Sequence, residues 1–307
     1  MNLEQLRGFT TIARMGHFTR AAEELHLAQP SLSRQIATLE HDLGSVLFQR
    51  ARGNITLTPA GRALLPLATR MLADEESIRV EMAELAGLRR GRVRLGAPPT
   101  LCVSLVAEVL SSFHAKYPGI ELQISEAGSR VLLEQLSGGQ LDLALIVTSE
   151  HAVNETTLQH VPLLAERLVV ADAPDGALSK QDTVDLRALA KVPQIAFSRS
   201  YDLRAATMSA YDGLGLDPNI VIDGGEMDAV LRFVQAGLGV AVVPATVLTQ
   251  STGLRSVQLV DPQLQRTIGL EHRRDVTLTT AVAAMQEMIR STAQQLAGRF
   301  EPISTLS

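Results

Sequence analysis

Tryptophan is absent from the sequence, tyrosine occurs three times, and cysteine occurs once, at Cys102. A single thiol excludes an internal disulfide framework and any cysteine-rich zinc or iron–sulfur site. Aromatic residues make up only 3% of the chain, so a stacking platform for a sugar or a large ring is poorly supplied. Phe197, Tyr201 and Phe233 offer one apolar wall at most. No uninterrupted apolar run approaches the roughly 18–20 residues of a membrane span. The opening MNLEQLRGFT carries no basic-then-apolar signal, so a soluble cytoplasmic protein with no membrane partner is expected. Catalytic fingerprints are missing too: there is no Gly-x-Ser-x-Gly elbow, Walker loop or His-Glu-x-x-His run. Gly237-Leu238-Gly239 reads as a helix-to-strand turn, the wrong place for a dinucleotide. The seven histidines form no close metal-ligand grouping, and no enzyme activity, cofactor or metal is expected.

What is present is bulk and an uneven charge. At 307 residues and 46% hydrophobic, the chain is long enough for a large core. At about 100–200 residues per domain, two or three units are expected. The net charge of −5 argues against a nucleic-acid partner until it is divided along the chain. Residues 1–95 hold 13 Arg, no Lys and 10 acids, for +3, whereas residues 96–307 hold 15 cations against 23 acids, for −8. Every cation of the basic segment is a planar guanidinium fork suited to phosphate and guanine. Opposite signs point to two jobs, one of which faces an anion.

Leu3, Leu6, Phe9, Ile12 and Ala13 recur at helical spacing, which predicts a helix over 3–15. Thr19 is placed to cap a short second helix through Leu25, and His26–Gln29 reads as a tight turn. Pro30 then takes the first position of a third helix running to Leu43, with Gly44 as its stop. Leu32, Ile36, Leu39 and Leu43 form its apolar stripe, and Gln29, Ser31, Ser33, Arg34 and Thr38 lie mostly off it. Two helices joined by so short a turn form a helix-turn-helix, whose second helix enters the major groove. Gln pairs with adenine, Arg with guanine, and Ser with bases or phosphate. A hairpin follows, with a Gly53-Asn54 turn and Arg50 and Arg52 on the wing. A small helical bundle with a solvated polar face is the competing reading.

The stretch FTRAAEELHLAQPSLSRQIATLEHDLGSVLFQR from Phe18, followed by LTPAG at 57–61, resembles the N-terminal domain of LysR-type transcription regulators. The match runs nearly gap-free over residues 1–65. It implies DNA contacts at Gln29, Ser31, Ser33 and Arg34 on the recognition helix and at Arg50 and Arg52 on the wing, with Pro30 shaping the helix start. The implied partner is double-stranded promoter or operator DNA. His17 departs from the family, which commonly has serine there.

Thr58 and Pro59 restart a helix, along which Gly61, Leu64, Ala68, Met71, Glu75, Ile78, Met82 and Leu85 keep a heptad spacing. An apolar seam on so long a helix needs a partner. The resemblance supplies one, since regulators of this type dimerise through such a linker helix, and a pair of dimers, a homotetramer, is expected. Gly87 and Arg89–Arg92 read as a hinge.

From residue 92 strands and helices alternate, which predicts α/β units on parallel sheets. Strands are expected at 93–97, 121–125, 141–147, 167–171, 194–197, 219–222 and 239–244, with helices near 101–116, 129–138, 203–213, 226–236 and 278–298. The overall fold class is α/β, with a winged helix-turn-helix at 1–58, a linker helix and hinge at 59–91, and an effector domain at 92–300. The resemblance gives that last domain a periplasmic-binding-protein-like form, with one subdomain at 92–162 and 266–300 and the other at 163–265. Ligands of open α/β sheets bind beyond the strand carboxyl ends, beside helix N-termini. That rule marks Thr100, Ser129, Arg130, Thr148, Ser198, Ser200, Glu226 and Met227 as effector contacts, and Cys102 and the wall residue Tyr201, close by in sequence, are expected to join them. Backbone N–H groups, hydroxyls and a nearby Arg suit a small anion, typically a carboxylate. Cys102, near a helix start, is a candidate for a lowered pKa, but a buried and inert cysteine is the stronger expectation. The cysteine pair used by the peroxide-sensing branch of the family is missing. A DNA-binding architectural protein, its acidic domain serving only assembly, is the rival class; a solute-binding protein would need export.

Overall fold

Asn2 opens the first helix with both halves of a capping box. Its side chain accepts from the Gln5 backbone N–H, and the Gln5 side chain accepts from the Asn2 backbone N–H, each at 2.9 Å. Helix α1 (Leu3–Met15) ends at Gly16, whose φ of 68° lies in the left-handed region where a side chain is strained. The computed structural model describes the chain except for residues 52–53, 86–90, 149–156, 200, 250–252, 300–302 and 307.

After α1 come α2 (Phe18–Glu24), α3 (Gln29–Leu43), the antiparallel hairpin β1 (Phe48–Ala51) and β2 (Asn54–Leu57), and α4 (Pro59–Leu85). Two local expectations are corrected. Helix α2 starts at Phe18 with His17 in the cap position and no side-chain cap bond, so Thr19 is not its cap. Burial of the Phe18 ring edge-on to Phe48, 5.9 Å away, sets the start instead. Helix α3 starts at Gln29, which makes Pro30 its second residue rather than its first. Leu6, Phe9, Ile12, Ala21, Leu32, Ile36, Leu39, Leu47 and Phe48 close one core.

The heptad seam expected on α4 is split. Gly61, Leu64 and Ala68 turn into that core, and a Cβ on Gly61 would meet the Leu47 carbonyl oxygen at 2.3 Å. Thr58 does cap the helix, accepting from the Gly61 N–H at 3.0 Å. The stripe left exposed is Leu67, Met71, Ile78 and Met82. Glu75, which interrupts the expected seam, pairs with Arg7 of α1 at 2.8 Å and with Arg79 at 2.7 Å. It ties the long helix to its own unit, Met1–Arg90.

The second unit comprises Gly91–Leu136 and Leu141–Ser307. It begins with β3 (Gly91–Ala97) and a helical segment from α5 (Pro99–Leu101) through a π-helical turn (Cys102–Val106) into α6 (Ala107–Lys116). Then follow β4 (Ile120–Glu126), α7 (Ser129–Ser137), β5 (Leu143–Thr148) and β6 (Leu158–Asp172). A second lobe holds β7 (Thr183–Asp185), α8 (Leu186–Leu189), β8 (Gln194–Phe197), α9 (Asp202–Gly213), β9 (Ile220–Gly225), α10 (Met227–Gln235), β10 (Ala241–Pro244), α11 (Ala245–Thr249) and β11 (Arg255–Val260). Strand β12 (Gln265–Arg273) returns to the first lobe, followed by α12 (Thr280–Arg299) and β13 (Ile303–Thr305).

The sheets are mixed, not parallel throughout. Strands β3, β4 and β5 run parallel, as do β8 with β9 and β7 with β11, but β12 and β6 pair antiparallel with their neighbours. The reason is β6. Its first part pairs with β12 over 158–167, and its last part pairs with β10 and β11 over 168–172. One strand therefore serves both lobes. Leu163 and Leu164 belong to the first core and Leu168 to the second. Strand β6 thus changes partners near 167, and β13 pairs with its first part.

Since Leu39 is fully buried at the centre of the first core, Leu39→Ala is expected to destabilise that unit by about 2–5 kcal/mol. Urea unfolding followed by circular dichroism measures it.

Candidate functional site

On α3 the apolar positions Leu32, Ile36 and Leu39 are buried and the opposite face is open. Gln29, Pro30, Arg34, Ala37 and Thr38 are exposed there, while Ser31 and Ser33 are half-buried. The Arg34 Nε reaches back to the Pro30 carbonyl at 3.4 Å, leaving the guanidinium along the exposed face. Thr19 and Arg20 at the start of α2 are exposed too, and sequence reasoning passed over them. Arg50 lies on β1, but its side chain, like all of Arg52, lies outside the described residues.

In the second unit a cavity of about 240 Å³, its open mouth included, lies between the lobes. The first lobe lines it with Pro98, Pro99, Thr100, Gly128 and Val147, and the second with Tyr201, Asp202 and Leu203; Arg266 on β12 completes the wall. Of the expected contacts, Thr100 and Tyr201 line this space and Ser129 borders it. Thr100 is buried, and its hydroxyl accepts from Arg266 Nη1 at 2.7 Å. Ser129 is buried, and its hydroxyl accepts from the Val147 N–H at 3.0 Å. The Tyr201 ring stacks on Phe197, with centroids 5.3 Å apart, and its hydroxyl donates to Glu226 at 2.8 Å.

Several expected contacts lie elsewhere. Arg130 points to solvent and pairs with Glu134 one turn on, at 3.0 Å. Cys102 packs against the first-lobe core and directs its thiol at the Ala97 carbonyl, 3.7 Å away. Met227 is buried in the second-lobe core, and Glu226 is taken up by Tyr201. Ser198 donates its backbone N–H to Gly225. Ser200 and the Thr148 side chain lie outside the described residues. Among the described residues no three His, Cys, Asp or Glu converge as a metal site, and His160, isolated in the sequence, pairs with Glu271.

Sequence reasoning missed Asp202, Arg266 and Glu166. Arg266 Nε donates to Glu166 Oε1 at 2.7 Å and Nη2 reaches the same oxygen, while Thr246 donates to Glu166 Oε2 at 2.7 Å. Arg266, Glu166 and Thr246 are buried, and Asp202 is half-buried. The available signal was a charge set inside the apolar strand run Leu163-Leu164-Ala165-Glu166-Arg167-Leu168-Val169.

A winged helix-turn-helix joined by a long helix to a two-lobed α/β domain with an interlobe cleft defines a DNA-binding regulator with its own sensor. The comparisons give the family. Residues 3–62 match the bacterial regulatory helix-turn-helix protein model of the lysR family, and residues 86–294 match the LysR substrate binding domain. The chain belongs to the LysR family of DNA-binding transcription regulators. It is 33% identical over 270 residues to the uncharacterized HTH-type transcriptional regulator YybE of Bacillus subtilis, covering 88% of this chain and 91% of that protein. It is 32% identical over 286 residues to the HTH-type transcriptional regulator IlvR of Caulobacter vibrioides, covering 91% and 95%. Full-length OxyR of Pseudomonas aeruginosa, a cysteine-to-aspartate variant, shares the fold with a TM-score of 0.74 at 24% identity, covering 100% and 99%.

Of the two readings of Cys102, the buried and inert one fits the structure, and the lowered pKa does not. Burial, then the charge of Glu126, pushes the thiol from 9.0 up to about 12. A π-helical turn and the core face replace the exposed helix start that a thiolate needs. Burial likewise raises Tyr211 from 10.0 to about 12 and raises Tyr201. Above about pH 9 the native state therefore binds more protons than the unfolded chain, so stability is full below that pH and falls as pH rises. Thermal unfolding from pH 7 to 11 is expected to show that fall, starting nearer the tyrosine value of 10.0 in Cys102→Ala.

Proposed function

We propose that the protein is a cytoplasmic one-component regulator with no enzymatic turnover. Helix α3 reads promoter DNA, the exposed stripe of α4 pairs two copies, and a small anionic effector binds in the interlobe cleft. Leu67, Met71, Ile78 and Met82, spaced four, seven and four residues apart and each 43–61% exposed, support the pairing. Two such dimers joined as a tetramer follow the family pattern. On DNA, Gln29 and Arg34 present the forks that read adenine and guanine, Ser31 and Ser33 reach bases or phosphate, and Arg50 and Arg52 hold the backbone from the wing.

The polarity of the cleft hydroxyls carries the effector reading. Thr100 already accepts from Arg266, and Ser129 already accepts from Val147. Each hydroxyl is thereby left one proton to donate, which Ser129 gives to Asp202 Oδ2 at 2.7 Å and Thr100 holds toward the cleft. A cleft walled by donors and a guanidinium recognises acceptor oxygens, and a carboxylate or similar anion supplies them. The effector shifts the protein only by binding one lobe arrangement better than another.

Two measurements test this reading. Arg34→Ala is expected to weaken operator binding by about 1–3 kcal/mol, read by fluorescence anisotropy; unchanged affinity overturns the recognition-helix assignment. A thermal-shift panel of small carboxylates is expected to yield a stabilising ligand, by about 2.7 kcal/mol at a hundred times its Kd. Thr100→Val and Ser129→Ala should each weaken that ligand about tenfold or more, because a hydrogen bond to a charged group is worth about 1.5–3 kcal/mol. A panel without a hit favours the architectural reading.

A further inference from the structure

The donors at Ser129 are already engaged by a carboxylate, and it is the protein's own. Asp202, the first residue of α9 in the second lobe, accepts through Oδ2 from the Ser129 backbone N–H at 3.1 Å and from Ser129 Oγ at 2.7 Å. Ser129 lies in the first lobe, so this contact crosses the cleft. Because Ser129 Oγ accepts from Val147, its hydroxyl proton is committed to the carboxylate. Asp202 and Val147 line the same cavity, together with Thr100, whose hydroxyl proton has no acceptor among the described residues. A carboxylate thus sits on one half of a donor set while the other half stands beside it.

We propose that Asp202 is a resident stand-in for the effector's carboxylate. It latches the two lobes in the unliganded protein, and the effector acts by exchange: its carboxylate takes the Ser129 donors and Thr100, and Asp202 is released to water. The proposal rests on the anionic-effector reading above and adds its trigger. The latch lowers the apparent affinity of the effector, since only the unlatched fraction is competent to bind. It also supplies the difference between two lobe arrangements on which a ligand must act. A neutral or cationic ligand leaves the latch in place.

Acetate is the probe, because it is the side chain of Asp202 as a free anion. Thermal unfolding of the full chain is compared in sodium acetate and in sodium chloride at matched ionic strength. The wild type is expected to melt alike in both. Asp202→Ala should melt lower than wild type in chloride and gain about 3 °C in about 100 mM acetate as the anion occupies the vacated position. Adding Ser129→Ala should abolish that gain. Should Asp202→Ala fold poorly, Asp202→Ser, which removes the carboxylate and leaves most of its volume open, is read the same way. Equal melting of the single variant in the two salts overturns the latch, as does an acetate gain that survives Ser129→Ala. The comparison needs no identified effector, so failures separate: a flat acetate response beside a successful carboxylate panel overturns the latch alone, and an empty panel overturns the effector reading.

Discussion

Glu166 and Arg266 face each other in register on β6 and β12, at the level where both strands pass from one lobe to the other. Neither side chain is more than 5% exposed. Taking two such charges out of water costs several kcal/mol per ion, and their attraction repays this only when the remaining donors and acceptors are also met. Here they are. Two guanidinium nitrogens serve one carboxylate oxygen, Thr246 serves the other, and Thr100 accepts from the guanidinium. The pair is thus less a source of stability than a constraint on position, binding both crossing strands, the start of α5 and the start of α11 to one point.

From that constraint follows the chemistry of the cleft. Because Arg266 occupies an acceptor site of Thr100, the hydroxyl is turned to donate. The Val147 N–H does the same for Ser129 from the end of β5. A threonine or serine in isolation has no preference between donating and accepting. It is their neighbours in the cleft wall, Arg266 and Val147, that set the preference, and Asp202 answers it from the opposite lobe.

This layering explains what was legible in the sequence. Local signals were read closely: α1 as 3–15, β8 as 194–197 and α7 within a residue of its end, since caps and apolar spacing are written within a few residues. Strand β6 was half seen. Only its end, residues 167–171, reads as a strand, because Glu166 breaks the run that precedes it, and β12 was missed for a similar reason. The partners that make those charges tolerable stand 100 and 166 positions away in the chain, beyond any local pattern. Among site residues, Thr100 and Ser129 followed from strand ends, and Tyr201 as a wall residue close by. Arg130 and Cys102 lie one and two positions from Ser129 and Thr100 in sequence, but a step of one or two along a helix changes which way a side chain faces.

The same separation of scales bears on DNA. A reader segment of only +3 gives a modest sequence-independent attraction to phosphate, and the rest of the chain, at −8, repels it. With non-specific affinity held down, the proposed reading places discrimination in base contacts from α3, each good bidentate pair contributing about 1–3 kcal/mol. One short recognition helix carries few such pairs. In the proposed dimer, joining two readers through the α4 stripe turns the second contact into an intramolecular event, which raises affinity without adding charge. Weak charge, an arginine-only reader and an unpartnered helical stripe therefore belong to one design, in which the spacing of two readers matters more than the grip of either.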